Sequence, residues 1–286
     1  MARCRVCFRH CEIAEGECGF CGARTCADGR VIARNYGRIT SMALDPIEKK
    51  PLARFFPGSL ILSVGSYGCN LHCPFCQNYE ITWSEEAGRL ADVAEQISPE
   101  RLAATAAYYQ SRGNIGLAFT YNEPLIGYEY VRDTARLVHE KGMKTVLVTN
   151  GMAEPEVLEE LSPWIDAMNI DLKGFTDRYY QDVLKGSRQM VMDFIDRAVQ
   201  LCHVELTTLI VPGENDREEE ILELSRWIAG LKGQGQEEAG RNIPLHISRF
   251  FPRFHMTDRE ATQVRLVYHL ADLARQHLNY VYTGNC

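Results

Sequence analysis

Cys69-Asn-Leu-His-Cys73-Pro-Phe-Cys76 places three thiols in one short stretch, spaced C-x3-C-x2-C, with no fourth cysteine close by. Four-cysteine iron–sulfur sites close every iron with a protein thiolate. Three thiolates on a four-iron cluster leave one iron open, and an open coordination position is what a catalytic metal site keeps. The plainer occupants are a zinc ion or no metal at all, but structural zinc wants four ligands and commonly pairs of C-x2-C. Cys4, Cys7, Cys11, Cys18, Cys21 and Cys26 precede this loop, so nine of the eleven cysteines fall within the first 76 residues. Thiols spread evenly through a core would not cluster in this way. The N-terminal quarter therefore reads as metal or redox territory rather than a disulfide framework.

Other polar groups recur at comparable places. Tyr121-Asn122-Glu123-Pro124, Thr149-Asn150-Gly151, Asp171-Leu172-Lys173-Gly174, Pro212-Gly213-Glu214-Asn215-Asp216 and His246 with Ser248-Arg249 each stand at the end of a short apolar run. Each has a plain alternative. Glu123-Pro124 could open a helix. Asn150-Gly151 could be a turn. Asp171 and Lys173 could form a solvated ion pair. His246 could be a core histidine, and Asn215-Asp216 a loop with a helix cap.

The elements that would carry these groups alternate in type. Apolar runs at 60–64, 115–120, 144–148, 167–172, 204–211 and 243–247 read as strands. Amphipathic or capped stretches at 98–112, 127–141, 155–161, 191–201, 217–231 and 258–277 read as helices, and 279–283 as a last short strand. Six β-then-α units in a row call for parallel strands with helical crossovers. Residues 56–286 are expected to form an α/β fold, a partial (β/α)6 TIM-like barrel. An open doubly wound sheet is the alternative, but no glycine-rich phosphate loop follows the first strand. Residues 1–55 are expected to be a small cysteine-rich metal-binding head, closed by a hairpin over 31–40. Lys232–Arg241 reads as a mobile surface loop. In such a fold chemistry gathers at the carboxyl ends of the strands, where all the polar groups named above fall.

Composition narrows the partners. A net charge of −7 argues against a nucleic-acid groove or an anionic membrane as the main partner. No apolar run is long enough to span a bilayer. The first residues lack the apolar core of a secretory signal, so a cytoplasmic location is expected.

The segments Asp45-Pro-Ile-Glu-Lys-Lys-Pro-Leu52, Gly68-Cys-Asn-Leu-His-Cys-Pro-Phe-Cys-Gln-Asn78, Thr120-Tyr-Asn-Glu-Pro124, Thr149-Asn-Gly151, Asp171-Leu-Lys-Gly174 and His246-Ile-Ser-Arg-Phe-Phe-Pro252 together resemble one family. The chain resembles the AmmeMemoRadiSam-system radical S-adenosylmethionine (SAM) enzymes, relatives of the pyruvate formate-lyase activating enzymes. The resemblance implies that Cys69, Cys73 and Cys76 hold a [4Fe–4S] cluster whose open iron takes the amino and carboxylate groups of SAM. It implies that Glu123 receives the methionine amino group, and that Asn150, Asp171 and Lys173 reach the methionine carboxylate or the ribose. Phe75 would pack near the adenine, and His246 would be a catalytic residue near the adenosyl end or the substrate.

The implied reaction is reductive cleavage of SAM to a 5′-deoxyadenosyl radical that abstracts hydrogen, as in glycyl-radical-enzyme activation. Modification of a small molecule or RNA is the alternative within the chemistry, and a non-catalytic iron–sulfur electron-transfer protein the alternative outside it. The resemblance further implies a reducing partner such as flavodoxin or ferredoxin, and a substrate protein. Cys4, Cys7, Cys11 and Cys21 resemble the family's N-terminal set, C-x2-C-x3-C-x9-C, which would hold zinc or a second iron–sulfur cluster. Cys18 is extra to that pattern and competes with Cys11 as a ligand. Family members often continue with another cysteine pair, so Cys286 is expected to be a stray thiol or a remnant ligand of a short tail.

Overall fold

The computed structural model describes residues 1–82, 89–90, 93–233 and 239–286. The chain forms two compact units, residues 1–71 with 78–168 and residues 72–77 with 169–286. The fold is α/β, with a mostly parallel sheet.

In the first unit, β1 (Ser41–Pro46) runs antiparallel to β2 (Leu60–Gly65). Strand β2 is parallel to β3 (Asn114–Phe119), and β3 to β4 (Lys144–Thr149). Helix α1 (Pro99–Tyr108) starts where Ser98 accepts the Arg101 N–H at 3.3 Å with proline at the first helical position. Helix α2 (Tyr128–Glu140) buries Tyr130, Val131, Thr134, Ala135 and Val138, a stripe of three- and four-residue spacing. It is followed by Gly142 at φ 70°, a conformation glycine adopts without steric cost. Helix α3 spans Pro155–Leu161.

Strand β1 escaped the sequence reading because it is an edge strand with a half-exposed pattern and little apolar signal. The segment after β1 folds back onto the sheet. Ile47, Leu52 and Phe55 pack with Ile61, Ala118, Val146 and Ala167. Ser63 lies two residues beyond Ile61 and therefore shares that face.

The expected hairpin over 31–40 is differently paired. Arg30–Ala33 returns onto Arg24–Ala27, and Arg38–Ile39 pairs with Glu95–Gln96. The tight turn at Asp28-Gly29, both at positive φ, closes the first of these ladders.

In the second unit, the end of β5 (Ala167–Asp171) neighbours β6 (His203–Ile210), which is parallel to β7 (Leu245–Arg249), itself parallel to β8 (Val281–Gly284). Helices α4 (Arg188–Ala198), α5 (Glu218–Ala229) and α6 (Val264–Ala274) follow β5, β6 and β7. A π-helical segment, Tyr179–Leu184, precedes α4. Helix α6 is shorter than its expected span of 258–277. The Thr262 hydroxyl donates to Ile210 O at 2.6 Å, and its carbonyl accepts from Arg249 Nε at 2.7 Å. These bonds hold residues before α6 as loop. The expected surface loop over Lys232–Arg241 includes residues 234–238, which lie outside the described residues.

Candidate functional site

In the first unit the loops after β3 and β4 converge on one carboxylate, while the loop after β2 meets the same residue through Gly68 O, which accepts from the Glu123 N–H at 3.3 Å. Glu123 is buried, and its Oε1 accepts from the Thr149 hydroxyl at 2.6 Å and the Leu125 N–H at 3.0 Å. Its Oε2 accepts from the Asn150 N–H at 2.8 Å. The helix-start reading is thus partly right: Glu123 caps the short turn Pro124–Gly127. Capping alone does not account for the two bonds from the end of β4.

Asn150-Gly151 does form a turn, with Asn150 Oδ1 accepting from the Met152 N–H and Gly151 at φ 69°, but the turn is buried and the Asn150 side chain has further partners. Its Nδ2 donates to Asn70 Oδ1 at 2.9 Å and lies 3.7 Å from the Cys69 sulfur. The Leu71 N–H also points at Cys69 Sγ, at 3.4 Å. Hydrogen bonds to sulfur are a means by which proteins tune an iron–sulfur potential.

Gly68, at φ +90°, lets the loop pass beside the head, since a Cβ there would stand 2.5 Å from Cys21 O. Asn78 Nδ2 donates to Tyr121 O at 2.7 Å. Tyr121 itself has φ 72°, an uncommon conformation for a bulky residue. Its hydroxyl donates to Asp45 at 2.9 Å, and Asp45 also accepts from the nearly buried Lys50 at 2.8 Å. Burial and the Asp45 charge push the Tyr121 phenol up to about 12. Burial alone would raise the Asp45 carboxyl, but hydrogen bonds from Lys50 and Tyr121 outweigh it and hold the group below its usual value.

Cys4, Cys7, Cys11 and Cys21 line one small cavity together with Arg9 and Arg24. Cys18 is not part of it; it is exposed, with Arg34 at 3.6 Å from its sulfur. Burial pushes the Cys7 thiol up and the Cys21 thiol up to about 11. Arg9 donates to Asn70 O at 2.8 Å, so the head touches the residue after Cys69. Desolvation lowers the Arg9 pKa, partly offset by the surrounding cysteines Cys7, Cys11, Cys69 and Cys21.

In the second unit Cys73 is buried, and desolvation pushes its thiol up to about 12 even though Lys173 pulls the other way. Lys173 Nζ donates to Asp171 at 2.8 Å. Burial would lower the Lys173 pKa, but the Asp171 charge and its hydrogen bond more than reverse this and keep the ammonium protonated. The loop holding Lys173 is fixed by its N–H donating to Tyr180 Oη at 2.9 Å and its carbonyl accepting from Asn215 at 2.6 Å. Asn215 is thereby a loop-holding residue. Phe75 is buried edge-on against Phe250, with centroids 6.2 Å apart. The Cys73–Gln77 segment is further held by the His255 N–H on Pro74 O at 2.9 Å and by Arg253 on Gln77 O at 3.3 Å.

His246 Nε2 stands 2.7 Å from Glu205 Oε2, and His203 Nε2 stands 3.0 Å from Glu205 Oε1. Glu205 is a component that the sequence reading passed over. Its local signal is an acidic residue at a position facing the same way as Thr207 on a mixed strand, His203–Ile210. Among the described residues, no group of three or more His, Cys, Asp or Glu side chains stands in position to hold a metal ion as it is. The donor chemistry nonetheless suits a cluster. Cys73 is a buried thiol that needs a cation to favour its thiolate, and Cys69 has N–H donors aimed at its sulfur.

Residues 63–225 match the model of the radical SAM superfamily, and the chain belongs to that superfamily. It is 38% identical over 288 residues to an uncharacterized protein of Methanocaldococcus jannaschii, covering 99% of this chain and 81% of that one. It is 26% identical over 182 residues to pyruvate formate-lyase 1-activating enzyme of Escherichia coli, covering 63% of this chain and 71% of the enzyme. The crystal structure of Streptococcus suis SuiB shares the fold at a TM-score of 0.57 and 14% identity, over 78% of this chain and 48% of that one. Membership implies a [4Fe–4S] cluster, SAM and a reductant of the flavodoxin kind. No helix among the described residues is long and apolar enough to cross a membrane.

Proposed function

We propose that the chain is a radical SAM enzyme of the AmmeMemoRadiSam type that works like a glycyl-radical-enzyme activase. Cys69, Cys73 and Cys76 would hold the [4Fe–4S] cluster. When bound, that cluster supplies the electron that cleaves SAM and so starts hydrogen abstraction from the substrate. The observation that carries the reading is the C-x3-C-x2-C loop directly after β2, within the span that matches the superfamily.

The protein's own residues would bind and orient. Glu123, held by Thr149 and Asn150, offers a fixed anionic group for the methionine ammonium. Lys173, kept protonated beside Asp171, offers a cation for the methionine carboxylate, while Asp171 and Asn150 are the groups for the ribose and the sulfur side. Phe75 offers an aromatic face for the adenine, and His246 acts on the substrate side. The division in this reading is a cysteine-rich head over residues 1–55 and a catalytic fold over 56–286, with the head segment lending β1 (Ser41–Pro46) to the edge of the sheet. The four cysteines of the head cavity, with Cys11 rather than Cys18, fit a zinc ion or a second cluster in a structural or electron-relay role. The substrate in this reading is a partner protein, by analogy with what the Escherichia coli relative's name says of that enzyme.

The test is anaerobic loading with iron and sulfide, reduction in the presence of SAM, and assay for 5′-deoxyadenosine. Formation in the wild type and loss in Cys73→Ala, with metal in the head retained, is the expected result. Unchanged iron in Cys73→Ala would overturn the ligand assignment. A loaded cluster that produces no 5′-deoxyadenosine would favour electron transfer alone.

A further inference from the structure

The second unit buries a carboxylate to which the binding roles proposed above assign nothing. Glu205 lies in β6 with 0% exposure. Burying a carboxylate in a sheet is unfavourable, and an apolar side chain of similar size would avoid the desolvation. The carboxylate is compensated by two imidazoles, His246 at 2.7 Å and His203 at 3.0 Å. An ionised carboxylate has no proton to give, so both rings must donate from Nε2.

In neutral His246 this leaves the lone pair on Nδ1, which has no hydrogen-bond partner among the described residues. The ring is further oriented by stacking on Tyr282, with centroids 5.2 Å apart and planes at 22°. Its side chain is only 10% exposed, against 31% for His203. Strand register fixes which way His246 faces. Thr207 is its partner on β6, and Thr207 bonds Asn169 at 2.9 Å. Asp171, two residues beyond Asn169, lies on the same face. His246 therefore shares a sheet face with the Asp171–Lys173 pair.

Resting on the radical reading above, we propose that Glu205 is the positioning residue of His246 and that the pair forms a proton-accepting site for the substrate. The proton leaves an O–H or N–H group of the substrate and lodges on Nδ1 of His246. The electron pair of the broken bond stays on the substrate heteroatom, and the Glu205 carboxylate balances the imidazolium that results. The substrate class is thereby a compound or peptide with a hydroxyl or nitrogen-bound proton beside the carbon that loses hydrogen. Abstraction from an unactivated carbon would call for no base.

The test uses the anaerobic loaded protein and diethyl pyrocarbonate, an electrophile that acylates an imidazole nitrogen bearing a lone pair. Peptide mass spectrometry reads the modification at His246. Wild type should be modified at Nδ1. Glu205→Gln should slow this at least about tenfold, because the amide NH2 donates to a ring nitrogen and moves the imidazole proton to Nδ1. His203→Gln should change the rate at His246 by no more than about twofold, since the Glu205–His246 bond survives.

The side-chain 15N spectrum of wild type provides a check that needs no variant. A proton on Nε2 of His246 is expected, and a proton on Nδ1 of neutral His246 would overturn the proposal. Equal acylation of His246 in Glu205→Gln would overturn it too. Absence of 5′-deoxyadenosine from the same wild-type preparation would instead overturn the radical reading, so the two failures are distinct.

Discussion

Replacing Glu123 with glutamine changes one oxygen for an NH2 group with almost no change of shape. The outcome depends on how the Thr149, Leu125 and Asn150 donors divide between the two oxygens. Oε1 takes Thr149 and Leu125, and Oε2 takes Asn150. The amide oxygen should keep the side with two donors, which turns the NH2 toward the Asn150 N–H. A buried donor then faces another donor, at a cost of roughly 1–3 kcal/mol. The two surviving bonds lose their charge assistance, each falling from about 1.5–3 to about 0.5–1.5 kcal/mol. A total loss of roughly 3–6 kcal/mol is expected. At roughly 2–4 °C per kcal/mol for chains of 150–250 residues, this lowers the melting temperature by about 6–24 °C, toward the small end for a longer chain. Anaerobic calorimetry at pH 7 measures it, with SAM affinity of the loaded protein measured in parallel. Affinity should fall at least about tenfold if Glu123 receives the ammonium. A melting temperature within about 2 °C of wild type would refute the hydrogen-bond argument. A normal SAM affinity in a variant with an intact cluster would refute the ligand role alone.

Two further outcomes concern the first unit. Asp45→Asn should destabilise at pH 7, and the difference from wild type should shrink as pH falls from about the ordinary carboxyl value of 3.8 through the lower folded value. A carboxyl held below its usual range lends stability above that range and loses it on protonation. Urea melts at pH 7 and pH 3 check this, and a constant difference would contradict it. Gly68→Ala combines positive φ with a Cβ 2.5 Å from Cys21 O and 2.9 Å from Ala23 Cβ. It should lower stability by more than the roughly 1 kcal/mol of left-handed strain alone, and should raise the reactivity of Cys21 toward a thiol reagent. Unaltered thiol reactivity would mean that the loop does not brace the head cavity.

Part of this protein is legible one segment at a time. Periodicity is a local property, so the strand at 60–64 and the helix at 155–161 could be read from their own residues, and the cap at Ser98 from its neighbour Pro99. The three-cysteine loop is local too, since its cysteines sit within eight residues. Elements missed locally had weak local signal. Strand β1 is an exposed edge, and its partner β2 identifies it. The residues before α6 look helical by pattern, but Thr262 is tied to Ile210 and Arg249 instead.

The sequence by itself determined the superfamily chemistry and the order of strands and helices, because spacing within a short loop and apolar period along a segment need no distant partner. Tertiary structure alone decided which polar groups are joined. It put Cys11 and not Cys18 beside Cys4, Cys7 and Cys21. It gave Glu123 the hydroxyl of Thr149, Asn150 the side chain of Asn70, and Tyr121 the Asp45 carboxylate. It placed a fully buried carboxylate, Glu205, behind His246 from a position 41 residues away. These are pairings between strands and loops far apart in the chain. Each depends on register and on the exclusion of water, and a buried charge can be afforded only where a partner has been brought to meet it.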